Sequence, residues 1–151
     1  MSKELDLSAV DVESVKSALS QAGVEVYRTF PEEIYVAERI RVHLMDSSVR
    51  IRLGNKISVS FTARCQKSDF PNAPSEELFA KVRNSIGPSA GARGYAEAAH
   101  RVIEMKNPAN PAQVLDTWHE VIYTKTSENV DEVVQEVRWA LKIEKCVQDL
   151  S

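Results

Sequence analysis

The sequence predicts an α+β fold: an antiparallel sheet, built from a three-stranded meander and a hairpin, packed with three helices in the order α-(β)-βββ-α-ββ-α. Three observations predict it. Residues 34–65, IYVAERIRVHLMDSSVRIRLGNKISVSFTARC, alternate apolar and polar side chains in three runs separated by two turn signals. Apolar stripes at helical spacing occupy residues 8–22, 75–86 and 127–147. Two further segments, 95–106 and 114–126, flank the turn-rich NPANPAQ.

The first helix, SAVDVESVKSALSQA, presents Val12, Val15, Leu19 and Ala22 on one face. Ser8 or Asp11 can cap its start, and Gly23 supplies the stop. VEVYRTF at 24–30 is short and β-prone, an edge strand or an extension ending at Pro31. In the meander, Asp46-Ser47 read as a two-residue turn pairs Leu44 with Val49, Val42 with Ile51 and Ile40 with Leu53. A Gly54-Asn55-Lys56 loop then pairs Leu53 with Ile57, Ile51 with Val59 and Val49 with Phe61. Every apolar side chain then lands on one face, and a slip of one residue would bury arginines.

The second helix runs from Ser75, as its cap, to Ile86, with Leu78, Phe79 and Val82 on its apolar face and Gly87-Pro88 ending it. GPSAGARG at 87–94 reads as a connector. It follows a helix and lacks the GK[ST] ending of a phosphate-binding loop. YAEAAHRVIEMK has mixed propensity, and its strand-like partner VLDTWHEVIYTKT favours a hairpin over a helix. The final helix, from Ser127 as cap to Val147, starts among Glu128, Asp131 and Glu132 and ends beside Lys142 and Lys145.

At 151 residues the chain fits one domain, 1–151, with residues 1–7 expected to be disordered. A net charge of −3 argues against wholesale attraction to nucleic acid or membrane. Two cysteines make no disulfide framework, and MSKELDLSAV contains no signal-peptide core. No apolar run approaches the ~18 residues of a membrane span, so a cytoplasmic protein without a membrane partner is expected.

The meander register makes one basic surface. Arg41 falls opposite Arg52 and His43 opposite Arg50, with no carboxylate on that face; Glu38 sits on the apolar side and Asp46 in the turn. Like charges across a ladder destabilise it. The candidate binding residues are therefore Arg39, Arg41, His43, Arg50, Arg52 and Arg64, beside Ser58, Ser60 and Thr62. They form a solvated face, a protein interface or, without aromatic residues for base stacking, least suitably a nucleic-acid surface.

A hairpin symmetric about residues 109 and 110 would set His100 opposite His119, part of a metal coordination sphere; a one-residue change sets His100 opposite Glu120 instead. No HExxH, CxxC or DxD spacing accompanies them, and neither metal nor cofactor is expected. Cys65 and Cys146 read as small core residues, Cys146 near the end of the last helix. Trp118 and Trp139 read as packing the sheet against that helix. No nucleophile stands beside a base in the sequence, so no catalytic residue is assigned.

The opening SAVDVESVKSALSQAGVEV, the meander, SEELFAKVRNSI and SENVDEVVQEVRWALKIEKCV follow one another in an order and size that resemble the type III secretion chaperone group. The resemblance implies a non-enzymatic, dimerising, chaperone-like module that holds a protein partner. An acidic partner suits the basic face. The rival readings are a small-ligand or metal-dependent enzyme using His100 and His119, and a structural component of a larger assembly such as a phage particle.

Overall fold

The computed structural model describes residues 11–148. Their elements are α1 (Val12–Gln21), β1 (Val26–Phe30), β2 (Glu33–Ile40), β3 (His43–Arg52), β4 (Ile57–Gln66), a 3₁₀ turn (Lys67–Asp69), α2 (Ser75–Ala92), β5 (Ala96–Asn107), β6 (Asn110–Ser127), α3 (Val130–Lys142) and β7 (Cys146–Val147). The strand order is β1-β2-β3-β4-β6-β5, with the short β7 beside β4. The α+β class and the order of elements are those the sequence predicts. Expectations for residues 1–7, and Ser8 as a cap, lie outside the described residues. The chain packs as two compact units, the described parts of Met1–Phe61 with Lys125–Ile143 and of Thr62–Thr124 with Glu144–Ser151.

In the first unit, Asp11 caps α1 reciprocally. Its carboxylate accepts from the Ser14 amide at 2.9 Å, and the Ser14 hydroxyl accepts from the Asp11 amide at 3.2 Å. Gly23, at φ 79°, stops the helix in the left-handed conformation that glycine adopts without steric cost. Val15 and Leu19 are fully buried, as are Ile34, Val36, Val49, Ile51, Val59 and Phe61 on the strands. The amphipathic α3 contributes Val133, Val137 and Ala140 to this core. It packs on α1 and β3, and Trp139 meets Phe61 edge-on at 5.8 Å. The cap of α3 is Asn129, whose side chain accepts from the Glu132 amide, and not Ser127, which is the buried last residue of β6.

The β3–β4 register agrees with the sequence reading: Ile51 faces Val59, flanked by Arg50–Ser60 and Arg52–Ser58. The β2–β3 register does not. The turn is at Arg41-Val42, so Ile40 faces His43, Arg39 faces Leu44, Tyr35 faces Arg50 and Ile34 faces Ile51. Ser47-Ser48-Val49, opposite Val36 alone between the Ala37↔Asp46 and Tyr35↔Arg50 pairs, form a bulge inside β3. Its turn-forming side chains are real, but they satisfy the bulge. The Ser47 hydroxyl donates to the Val36 carbonyl at 2.6 Å and accepts from the Val49 amide at 3.1 Å. The Asp46 carboxylate accepts from the Ser48 amide, and Ser48 holds φ 68°. The reason lies in β1. That strand pairs with β2 from Val26↔Val36 to Phe30↔Glu33, so β2 must start at residue 33, and β3 must be long enough to face it.

In the second unit, α2 continues five residues past Gly87 to Ala92, so 87–94 is not a loop. Proline in a helix interior removes a hydrogen bond and crowds the preceding turn, at a cost of about 3 kcal/mol. The helix persists because Ile86 and Ala90 are buried on one face while Pro88 points to solvent. Gly87 lies close to Tyr123, where an added Cβ would be 3.5 Å from its hydroxyl. The residue at the N-cap is Pro74, which offers no side-chain cap; Ser75 is the first helical residue. The hairpin reading of 95–126 holds. The last segment differs again: the helix ends at Lys142, and Cys146 lies on β7, parallel to β4, where it faces Arg64.

Candidate functional site

The five arginines and His43 proposed as one basic face are separated by the observed register. Glu25 binds Arg39 through both carboxylate oxygens, at 2.6 and 2.9 Å, and its pKa is held below the usual range by that hydrogen-bonded pair. Asp46 receives Arg50 in the same fork, at 2.6 and 2.8 Å, while the guanidinium lies 3.5 Å from the Tyr35 ring centroid. Burial pushes the Asp46 carboxyl up; the Arg50 hydrogen bonds and the Ser48 amide together outweigh it and leave it below its ordinary value. Arg52 reaches Glu33 at 3.9 Å. Asp46, which the sequence register placed in the turn, is therefore beside an arginine, and three of the five arginines are locally paired with carboxylates.

Arg64 belongs to the second unit. Its guanidinium lies 4.0 Å from the Trp118 ring centroid, and its Nε is buried without a hydrogen-bond partner. Its backbone amide donates to the Lys145 carbonyl at 2.8 Å, which fixes β7 against β4. Trp118 thus serves as the face on which this cation rests.

Arg41 and His43 are what remains of the basic surface. Among the described residues neither makes an ion pair. They alternate with apolar side chains around the β2–β3 turn, and these are exposed: Ile40 by 54%, Val42 by 81%, Leu44 by 37% and Met45 by 46%. Arg41 at the apex adopts φ 60°, a conformation that a non-glycine residue holds at a cost of about 1–2 kcal/mol. Arg39 braces the tip, donating to the Val42 carbonyl at 3.4 Å. One six-residue segment thereby presents four large apolar side chains and two unneutralised basic residues. Singly exposed hydrophobic residues are ordinary on a protein surface; here four fall within six residues, with Ile40 and Met45 on one face of the hairpin and Leu44 on the other.

His100 and His119 sit in the second unit, two positions off the predicted pairing. His100 faces Val121, and His119 faces Val102, across β5 and β6. Both share one sheet face, and the Phe79 ring meets each edge-on, at 5.1 Å for His100 and 5.0 Å for His119. His119 is 2% exposed, with Nε2 bonded to the Ser75 hydroxyl at 2.9 Å and Nδ1 buried without a partner. Burial, then the nearby Lys67 charge, lowers its pKa, so the ring is neutral at pH 7. This serine–histidine contact escaped the sequence reading because 44 residues separate the pair. No acidic side chain among the described residues reaches Nδ1, so the imidazole is not oriented as in a nucleophilic triad. No group of three or more metal-ligating side chains occurs among the described residues.

Cys65 is fully buried on β4. Burial, followed by the adjacent Cys146, pushes its thiol up to about 11, which makes it a core residue and a poor nucleophile at neutral pH. Among the described residues no helix is long and apolar enough to cross a membrane. Compared with family models, with characterised proteins and with solved structures, the chain matches none of them.

Proposed function

We propose that this chain is a non-enzymatic, chaperone-like protein-binding module of the cytoplasm, and that it takes an acidic segment of its partner at the β2–β3 hairpin tip. One observation carries the reading. At the tip, four large exposed apolar side chains stand beside Arg41 and His43, which make no ion pair among the described residues, with Val42, 81% exposed, at its apex. Apolar anchors supply affinity once desolvated, and Arg41 and His43 supply the preference for carboxylates around those anchors. Arg39, Arg50 and Arg52 support this surface indirectly. Glu25 and Asp46 hold Arg39 and Arg50 in hydrogen-bonded pairs within the unit, and Glu33 lies 3.9 Å from the exposed Arg52.

The test is selection from a displayed library of random peptides, followed by titration of the enriched sequences. The expected binders combine Asp or Glu with at least one large apolar residue. Val42→Asp and Arg41→Glu are each expected to weaken them about tenfold or more, with an unchanged circular dichroism spectrum. Binders without acidic residues, or binders indifferent to both substitutions, would overturn the assignment.

A further inference from the structure

β5 closes one end of the strand order, so one side of its backbone has no strand beside it among the described residues. From Ala99↔Ile122 to Met105↔Asp116 its pairing with β6 is unbroken, and register shifts occur only beyond this run, between Glu97 and Ala99 and after Met105. Ala99-His100-Arg101-Val102-Ile103-Glu104-Met105 is thus a seven-residue edge in continuous register and without proline. Natural edge strands of this length are usually blunted by charge, bulge or cover, and an unblunted one is a template for another strand. Here the register shifts stand at the ends of the run, and of the two charges inside it Arg101 is already paired with Glu120, which leaves Val102 and Ile103 at its centre.

We propose that the strand which fills this edge is β5 of a second copy, running antiparallel about a two-fold axis at Val102. The sequence of the edge is self-complementary in that register. A two-fold axis perpendicular to the sheet sets each residue opposite one of the same parity. Centred on Val102, the pairs are Val102 with Val102, His100 with Glu104, Arg101 with Ile103 and Ala99 with Met105. The neighbouring registers fail on charge. Centring on Arg101 or Glu104 opposes that residue to itself, and centring on Ile103 sets Val102 against the Glu104 carboxylate. Like charges directly across a ladder destabilise it, while apolar pairs and an imidazole facing a carboxylate stabilise it. Val102, 50% exposed, gains an apolar neighbour, and the Arg101 stem, whose guanidinium already holds Glu120 at 2.6 Å, lies across Ile103. This pairing is independent of the partner reading at the β2–β3 tip, which lies on other strands.

Two measurements test it. In a Cys146→Ser background, Val102→Cys is expected to form a disulfide-linked dimer with oxidised glutathione as oxidant, because the two Val102 sites meet at the axis. Glu104→Cys is not, since the two Glu104 sites would be about 13 Å apart along the strands. By sedimentation equilibrium the unmodified chain is expected to dimerise. His100→Glu and Glu104→Lys are each expected to weaken the dimer about tenfold, and the His100→Glu/Glu104→Lys double exchange to restore it. A chain that stays monomeric at every concentration would overturn the proposal. So would equal cross-linking at positions 102 and 104, or a double exchange no better than the singles. Circular dichroism of each variant separates loss of pairing from loss of fold.

Discussion

Ser47→Ala discriminates between the two ways in which RIRVHLMDSSVRIR could pair. In the observed bulge Ser47 is 3% exposed, and its hydroxyl serves two backbone groups, the Val36 carbonyl at 2.6 Å and the Val49 amide at 3.1 Å. Alanine leaves both buried groups without this partner. A buried backbone group stripped of its partner costs about 1–3 kcal/mol, and partial relaxation of the bulge brings the expected total for the pair to about 2 kcal/mol. For a chain of this size that corresponds to a fall in Tm of about 4–8 °C. In urea the midpoint should fall with an unchanged slope. Hydrogen exchange supplies a local readout, since the Val49 amide should lose protection more than its neighbours on β3. Had Asp46-Ser47 formed the hairpin turn, the hydroxyl would face water and its removal would change stability by no more than about 0.5 kcal/mol. A loss that small, with Val49 protection intact, would refute the bulge.

Further substitutions test other parts of the structure. Pro88→Ala in α2 is expected to raise stability by about 1–3 kcal/mol by thermal or urea unfolding, because alanine restores the missing amide at an exposed helical position. Phe61→Ala should cost about 3–5 kcal/mol, since the ring is fully buried and meets Trp139 edge-on; the loss is readable by circular dichroism and by a shift in tryptophan emission. His119 has a folded pKa below its unfolded value of 6.5, so the unfolded chain binds the proton more tightly. Its contribution to stability is complete above pH 6.5 and declines as pH falls toward the folded pKa. His119→Gln should flatten the stability–pH curve in that window, and parallel curves would contradict the assignment. Iodoacetamide at mildly alkaline pH should alkylate the half-buried Cys146 in the folded protein and reach Cys65, whose thiol is pushed up to about 11, only after unfolding, as read by peptide mass spectrometry.

Local patterns were legible where one physical demand dominated. Alternation from Ile57 to Cys65 admits one strand with one buried face, and the short Gly54-Asn55-Lys56 loop ties it to β3. The apolar stripe of Val133, Val137 and Ala140 likewise admits one buried helix face. The β2–β3 turn was illegible because two placements satisfy the same alternation, and Asp46-Ser47-Ser48 is chemically suited to a turn and to a bulge alike. That ambiguity misplaced the site. The reading of arginines facing one another without carboxylates depended on the turn, and moving it brings Asp46 to Arg50 and Glu33 to Arg52. Glu25 beside Arg39, and Ser75 beside His119, are meetings between residues on different elements that no spacing rule anticipates.

By itself the sequence determined the α+β class, the order of elements and the β3–β4 register, because these follow from periodicity and turn chemistry within short windows. Tertiary structure alone decided the β2–β3 bulge, the passage of α2 through Pro88 and the pairing of the arginines. Each is settled by a strand or helix that arrives from elsewhere in the chain. β1 sets where β2 begins, burial of Ile86 and Ala90 outweighs the helix-breaking proline, and the resulting register chooses which charges meet and leaves Arg41 and His43 without an acid at the hairpin tip.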